Sequence, residues 1–218
     1  MARSVLPLAL SVAALAVFAA RPASAQANGN QSWDGGFNQK AERRSDFVIG
    51  LSSGLMLGGA VGYPNEVEKL DEPEYRASSG FAVGPGGAAW IGGALTDWFT
   101  FGVGGTWFSG SSKKAESSGG AFIFRVETYP FYGLGRGFRD WAWFGTFGAG
   151  GLTVKTDAGK RGEGGFASVA GLGSAYELFR FGHFAFAPSA EYLLIRSVSM
   201  TAHQSIFGAR VVFYGGPG

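Results

Sequence analysis

From Asp46 to Gly58 the chain puts a large apolar residue on nearly every second position. Phe47, Ile49, Leu51, Leu55 and Leu57 share one parity, and Gly50, Ser52, Gly54 and Gly58 the other. Successive strand side chains point to opposite faces, so such a segment makes a sheet with one greasy surface and one small or polar surface. The pattern returns in Phe81, Val83, Ala89, Ile91 and Leu95, in Phe99, Phe101, Val103 and Trp107, in Phe184, Phe186, Ala190, Tyr192 and Leu194, and in Phe207, Ala209, Val211 and Phe213. No segment carries a convincing helical period. The spacing predicts eight strands, at 46–60, 80–95, 98–108, 119–130, 141–154, 165–176, 183–194 and 204–214. The fifth and sixth alternate poorly because glycine and alanine occupy both faces; they rest on length and turn spacing.

An export signal precedes this pattern. Arg3 opens it, Val5–Ala20 is a mostly apolar run, and Ala23-Ser24-Ala25 offers small residues for cleavage. Arg21 and Pro22 end the run short of the ~20 apolar residues that a spanning helix needs, so cleavage after Ala25 is expected. Of 18 basic residues, Arg3 and Arg21 leave with the signal, and the remaining 16 face 16 acidic ones. That balance argues against a nucleic-acid partner. With no cysteine and two histidines, no cofactor or metal is expected. The acidic run Glu66, Glu68, Asp71, Glu72 and Glu74 lacks the spacing of an EF-hand and reads as a solvated loop. The 38 glycines alternate with 20 phenylalanines and with Trp, Val and Leu. Disordered segments lack such residues, whereas glycine on one strand face suits a tightly curved sheet.

The in-strand charges bear on which face is inside. Arg125 and Glu127 lie opposite in parity to Phe122, Phe124 and Val126, Glu191 lies opposite to its Phe/Tyr row, and Arg210 opposite to the Phe207–Phe213 row. A soluble barrel would turn these charges outward and fill its centre with the greasy row. A membrane barrel does the reverse, with lipid on the greasy face and the charges in the lumen. The connections favour the second arrangement. Those at 63–79, 109–118, 155–164 and 196–203 are polar, and the intervening ones at Thr96-Asp97, 132–140 and 177–182 are compact. Aromatic residues gather beside the compact turns, where Trp98, Tyr129, Tyr132, Trp141, Trp143, Tyr176 and Phe213 suit a girdle at the membrane–water interface. Arg125, Glu127, Glu191 and Arg210 are expected to form a luminal ion-pair network, with the last hairpin bringing Glu191 and Arg210 within a few residues of register.

Over about Asp46–Tyr214 this arrangement resembles the small eight-stranded outer-membrane barrels, of the OmpX type and the OmpA transmembrane domain. The last strand, with Phe207, Ala209, Val211 and Phe213, resembles the aromatic-ending signal read by the barrel-assembly machinery, although Tyr214-Gly215-Gly216-Pro217-Gly218 follow the aromatic position. The resemblance implies an all-β fold: an eight-stranded antiparallel up-and-down transmembrane β-barrel behind a cleavable signal peptide. The expected organisation is a signal peptide at 1–25, a flexible periplasmic segment at 26–45, the barrel at 46–214 and a short tail at 215–218. Such a molecule is expected to be a monomer integral to the cell outer membrane, with periplasmic termini and a filled lumen. It would touch outer-membrane lipids and lipopolysaccharide, whose phosphates Lys113, Lys114, Lys155, Lys160 and Arg161 suit, and would act through its surface loops.

One catalytic pattern competes with this structural reading. In His203-Gln204-Ser205, the imidazole and hydroxyl share a strand face, as base and nucleophile require. The spacing resembles the His-x-Ser element of PagL-like lipid A deacylases. Ile206 stands where that family has Asn, and no acid follows Ser205, so no catalytic residue is assigned. A lipid A-modifying hydrolase is thus one alternative function, and a soluble lipocalin-like periplasmic binder is another.

Overall fold

The computed structural model describes residues 44–134 and 137–216. The expected export signal and the lead up to residue 43 lie outside the described residues, as do residues 135, 136, 217 and 218. Eleven strands are present in this part: β1 (Asp46–Gly62), β2 (Ala77–Ser78), β3 (Ala82–Thr96), β4 (Phe99–Ser111), β5 (Ala115–Thr128), β6 (Trp141–Thr156), β7 (Arg161–Glu163), β8 (Ala167–Tyr176), β9 (Phe179–Phe181), β10 (Phe184–Arg196) and β11 (Met200–Tyr214). Three of them are short extensions: β2 on β1, β7 on β6 and β9 on β10. The other eight pair antiparallel with their sequence neighbours, and β11 closes on β1 from Val48↔Tyr214 to Gly62↔Met200.

Closure follows from the alternation. Each long strand offers a greasy outer row, and pairing the last strand with the first removes the free edges that a sheet otherwise leaves exposed. Followed across the pairs, Ile49 faces Ile91, then Val103, Phe124, Phe147, Ala170, Leu194 and His203, and the path returns to β1 at Gly59. This ten-residue offset is the stagger of the barrel, and with eight strands it corresponds to a tilt of about 40°.

All eight expected strands are present, the two weakly patterned ones at β6 and β8 included. The connections depart from expectation. β5 begins at Ala115 and β11 at Met200, so two of the polar connections shrink to turns at 112–114 and 197–199. Ser and Gly residues assigned to loops there continue the ladder, as in Ser109↔Ser118 and Ser111↔Glu116. At the opposite end, which carries both termini of the barrel, the 129–140 connection outruns either of those turns and includes a 3-10 turn at Tyr132–Leu134. The amide of Gly215, the first residue after β11, donates to the Phe47 carbonyl at 2.8 Å, extending the β1–β11 seam.

At the loop end, the 63–81 connection, the strand β7 and the β10–β11 turn are stitched together over the mouth. The Tyr63 amide donates to the Ser199 carbonyl at 2.9 Å, and the Glu163 amide to the Tyr63 carbonyl at 3.1 Å. The Ser199 hydroxyl donates to the Glu163 carbonyl at 2.6 Å. Beneath this cover lies an apolar plug of Met56, Phe108, Leu152, Leu193, Ile195 and Met200, among others. The half of the lumen nearer the termini is filled differently.

Candidate functional site

Arg125 and Glu127 project inward from β5, Glu191 from β10 and Arg210 from β11, because each has the parity of its strand's glycine and alanine row. Arg125 is 1% exposed and Arg210 1%, whereas Leu51 on the outer row is 54% exposed and Phe122 57%. The Oε1 atom of Glu127 accepts from Arg125 Nε at 2.9 Å and from Arg210 Nη1 at 2.7 Å. Arg125 Nη1 reaches Glu191 Oε2 at 3.3 Å, and the Thr146 hydroxyl donates to Glu191 Oε1 at 2.6 Å. The four charges therefore meet, through one pair along β5 (Arg125–Glu127) and two across the lumen (Arg125–Glu191 and Arg210–Glu127). Glu191 pairs in register with Ile206, four residues before Arg210, and each of the two charges takes its ion-pair partner from β5.

Arg125 is also sandwiched between aromatic rings. Its guanidinium carbon lies 4.3 Å from the centroid of the Trp90 ring and 3.6 Å from that of Phe144. Each ring lies where a glycine leaves room. A Cβ on Gly50 would come within 2.1 Å of the Trp90 indole, and a Cβ on Gly173 within 2.2 Å of the Phe144 ring. Desolvated cation–ring contacts of this kind are worth about 2 kcal/mol.

A second cluster closes the end of the barrel that holds the termini. Arg44, two residues before the start of β1, is 0% exposed and binds Glu177 Oε2 at 2.8 Å and Asp140 Oδ1 at 3.0 Å. Its guanidinium lies 3.5 Å from the Tyr129 ring centroid, and its Nη1 donates to the Asp97 carbonyl at 2.9 Å. Glu177 accepts further hydrogen bonds from the hydroxyls of Tyr129 (2.8 Å) and Tyr214 (2.7 Å). Arg210 Nη2 donates to the Tyr129 oxygen at 3.3 Å, which joins the two clusters into one network. Burial alone would raise the Glu177 carboxyl, but the opposing Arg44 guanidinium holds it below its ordinary value. Burial, with a hydrogen bond to Asp97, pushes the Tyr132 phenol up to about 12.

Two sequence expectations need correction here. Tyr129 is no girdle residue: it is 1% exposed and turned into the lumen, because it retains the parity of Arg125 and Glu127 past the end of β5. The sequence places Arg44 in a flexible lead, yet it is locked in place. Its partners Asp97, Asp140 and Glu177 lie in three separate turns, and no sequence spacing joins them. The Arg-before-strand position and the continued inward parity of Tyr129 were the available signals. Trp98, Trp141 and Trp143 are exposed on the outer wall, and Tyr132, Tyr176 and Phe213 are half-buried at the same end.

His203 and Ser205 lie on the outer face of β11, near the loop end. The His203 Nδ1 atom is hydrogen-bonded to the hydroxyl of Tyr192 on the neighbouring β10. Among the described residues no hydrogen bond joins His203 to Ser205, and no group of three His, Cys, Asp or Glu residues is arranged to hold a metal. The acidic loop carries a Glu66–Lys69 pair at 2.6 Å.

No protein-family model matches this chain, and no curated protein matches it either. Among solved structures, it is similar to the attachment invasion locus protein Ail of Yersinia pestis, at 13% identity and a TM-score of 0.47 over 77% of this chain and 99% of that one. It is also similar to Neisserial surface protein A, at 8% identity and a TM-score of 0.46 over 77% of this chain and 96% of that one. A third likeness is to the outer-membrane protein OprG of Pseudomonas aeruginosa, at 9% identity and a TM-score of 0.39 over 79% and 98%. The architecture of the described residues, eight antiparallel strands closed through β1 and β11 around a filled interior, is that of the small up-and-down barrels to which OmpX and the OmpA membrane domain belong.

Proposed function

We propose that the protein is an integral outer-membrane barrel with a filled lumen, acting as a stable scaffold that presents its loop end to lipopolysaccharide, ligands or neighbouring cells. One observation carries the reading: the molecule is inside out relative to a soluble barrel. Its greasy rows (Phe47, Leu51, Ile91, Phe122, Phe124 and Phe147 among them) face outward, while Arg125, Glu127, Glu191 and Arg210 are enclosed. Water is a poor solvent for such a surface and a bilayer core a good one, and a closed barrel satisfies its backbone hydrogen bonds there. The loop end then lies outside the cell and both ends of the barrel chain face the periplasm, the usual orientation of such barrels. The apolar plug and the charged network argue for a sealed lumen over a diffusion pore.

The test is a membrane fraction washed in carbonate, followed by electrophoresis in SDS with and without boiling. A band that resists the wash and migrates anomalously until boiled is expected. Release by the wash would favour the soluble periplasmic binder and overturn the reading. Incubation with lipid A separates out the hydrolase alternative: a 3-hydroxy fatty acid released by the wild type and not by Ser205→Ala would establish catalysis.

A further inference from the structure

Two adjoining depressions mark the outer wall formed by β10, β11 and β1, and the scaffold role uses neither. The upper one encloses about 250 Å³ between the 63–81 connection and the β10–β11 turn, with Tyr63, Asp71, Arg76 and Arg196 in its lining. The lower one encloses about 530 Å³ and is lined by Leu57, Phe81, Tyr192, His203, Ser205 and Phe207, with small residues of β1 between them. Strand register stacks the two. Val61↔Thr201 belongs to the upper depression, and Gly59↔His203 and Leu57↔Ser205 to the lower. Two residues along a strand separate the levels, about 7 Å.

The chemistry changes in order down this wall. Arg76 and Arg196 are exposed, and among the described residues neither forms an ion pair; of the residues that line the cleft, Asp71 is the one carboxylate against these two guanidiniums, so the lining is net positive. Two arginines in the lining of one cleft suit the oxygens of a phosphate. At the next level, the His203–Tyr192 pair and the Ser205 hydroxyl interrupt the greasy row of β11, and they offer donors and acceptors at the edge of the hydrocarbon belt. Leu57, level with Ser205, and Phe207, two residues further along β11, present an apolar trough beside and below them. An anionic cleft ligand, a polar linkage and a hydrocarbon chain in that order describe a phosphorylated lipid lying along the barrel.

We propose that this wall binds one molecule of lipid A, a phosphorylated glycolipid of the outer leaflet. Its phosphate sits between Arg76 and Arg196, its acyl linkage beside His203 and Tyr192, and one chain along Leu57 and Phe207. The site lies at the loop end, and the assignment to this lipid rests on that end facing outward. On this account, His203 and Ser205 are binding groups at a lipid headgroup.

Native mass spectrometry of the detergent-solubilised barrel, titrated with lipid A, lipid A stripped of its phosphates, and phosphatidylglycerol, tests the proposal. The expected result is one lipid A per barrel, weakened about tenfold or more by the Arg76→Ala/Arg196→Ala pair and to a similar degree by removal of the phosphates. Ser205→Trp, which fills the trough and leaves the arginines alone, should weaken binding as well. Equal binding by wild type and the arginine double variant would overturn the site. Equal affinity for phosphatidylglycerol would overturn the choice of lipid. The anomalous band before boiling verifies that each variant folds; should the double variant lack it, the phosphate-stripped lipid on the wild-type protein decides the matter. A barrel that stays in washed membranes but shows no arginine-dependent binding sinks this inference alone, whereas loss from the membrane sinks the outer-membrane reading beneath it.

Discussion

Glu127 neutralises two arginines through a single oxygen atom, and that position makes it the most sensitive charge in the lumen. Glu127→Gln keeps an acceptor there and removes the charge, leaving Arg125 and Arg210 with Glu191 as the remaining carboxylate of the inner four. Breaking a buried pair by removing one partner costs about 3–5 kcal/mol. A guanidinium titration in detergent micelles, followed by the unboiled band, should show a clear drop in the midpoint; an unchanged midpoint would mean that the network is solvated. Gly173 tests the other side of the same site. The Cβ of Gly173→Ala would meet the Phe144 ring, displacing it from Arg125, and overpacking of this kind costs about 1–3 kcal/mol. The same substitution at Gly133, where a Cβ meets nothing within 4 Å, is the control and should leave the midpoint in place.

Among the elements, the segment just before β1 does more than lead into the barrel. Arg44 draws together the turns that contain Asp97, Asp140 and Glu177, so three connections at one end share a single cation. Arg44→Ala should therefore leave Glu177 buried without its counter-charge and loosen that end first, seen as faster proteolysis in the 129–140 connection of the folded barrel. The pH dependence has a definite sign. Glu177 titrates below its ordinary 4.5 in the folded state, so its contribution to stability is present above that pH and is lost as pH falls through the folded value. Wild-type stability in micelles should fall in that acid window, and the fall should be smaller in Arg44→Ala. Polar composition marks 109–118 and 196–203 as connections, yet 109–111, 115–118 and 200–203 continue the strands of the barrel wall, because the neighbouring strand supplies partners for their backbone groups, and only 112–114 and 197–199 turn.

At the scale of the whole molecule, the sign of a surface substitution separates lipid from water. Leu51 lies midway along β1 on the outer wall, half exposed. In water, Leu51→Arg would be neutral or helpful. In a bilayer midplane it should cost about 2–4 kcal/mol. Refolding into lipid vesicles and comparing unfolding midpoints measures the difference, and an equal or higher midpoint for the variant would count against a lipid-facing wall.

The alternation of Phe47, Ile49 and Leu51 with Gly50 and Ser52, repeated along the chain, specified most of the eight long strands and the two faces of the sheet, since strand geometry fixes side-chain direction from sequence parity alone, and length and turn spacing supplied the two weakly patterned strands. It also placed Arg125, Glu127, Glu191 and Arg210 on one common surface. Only the closed barrel decided that Arg125 meets Glu191 and Arg210 meets Glu127, because these two contacts cross the lumen and depend on a ten-residue stagger accumulated over eight pairings, whereas Arg125 and Glu127 are neighbours along one strand. The tertiary structure likewise drew in Arg44, Tyr129 and Glu177, whose chain positions are 44, 129 and 177 and whose proximity no local pattern encodes. Parity is a local property of the backbone, whereas pairing across an interior is a property of the closed surface as a whole.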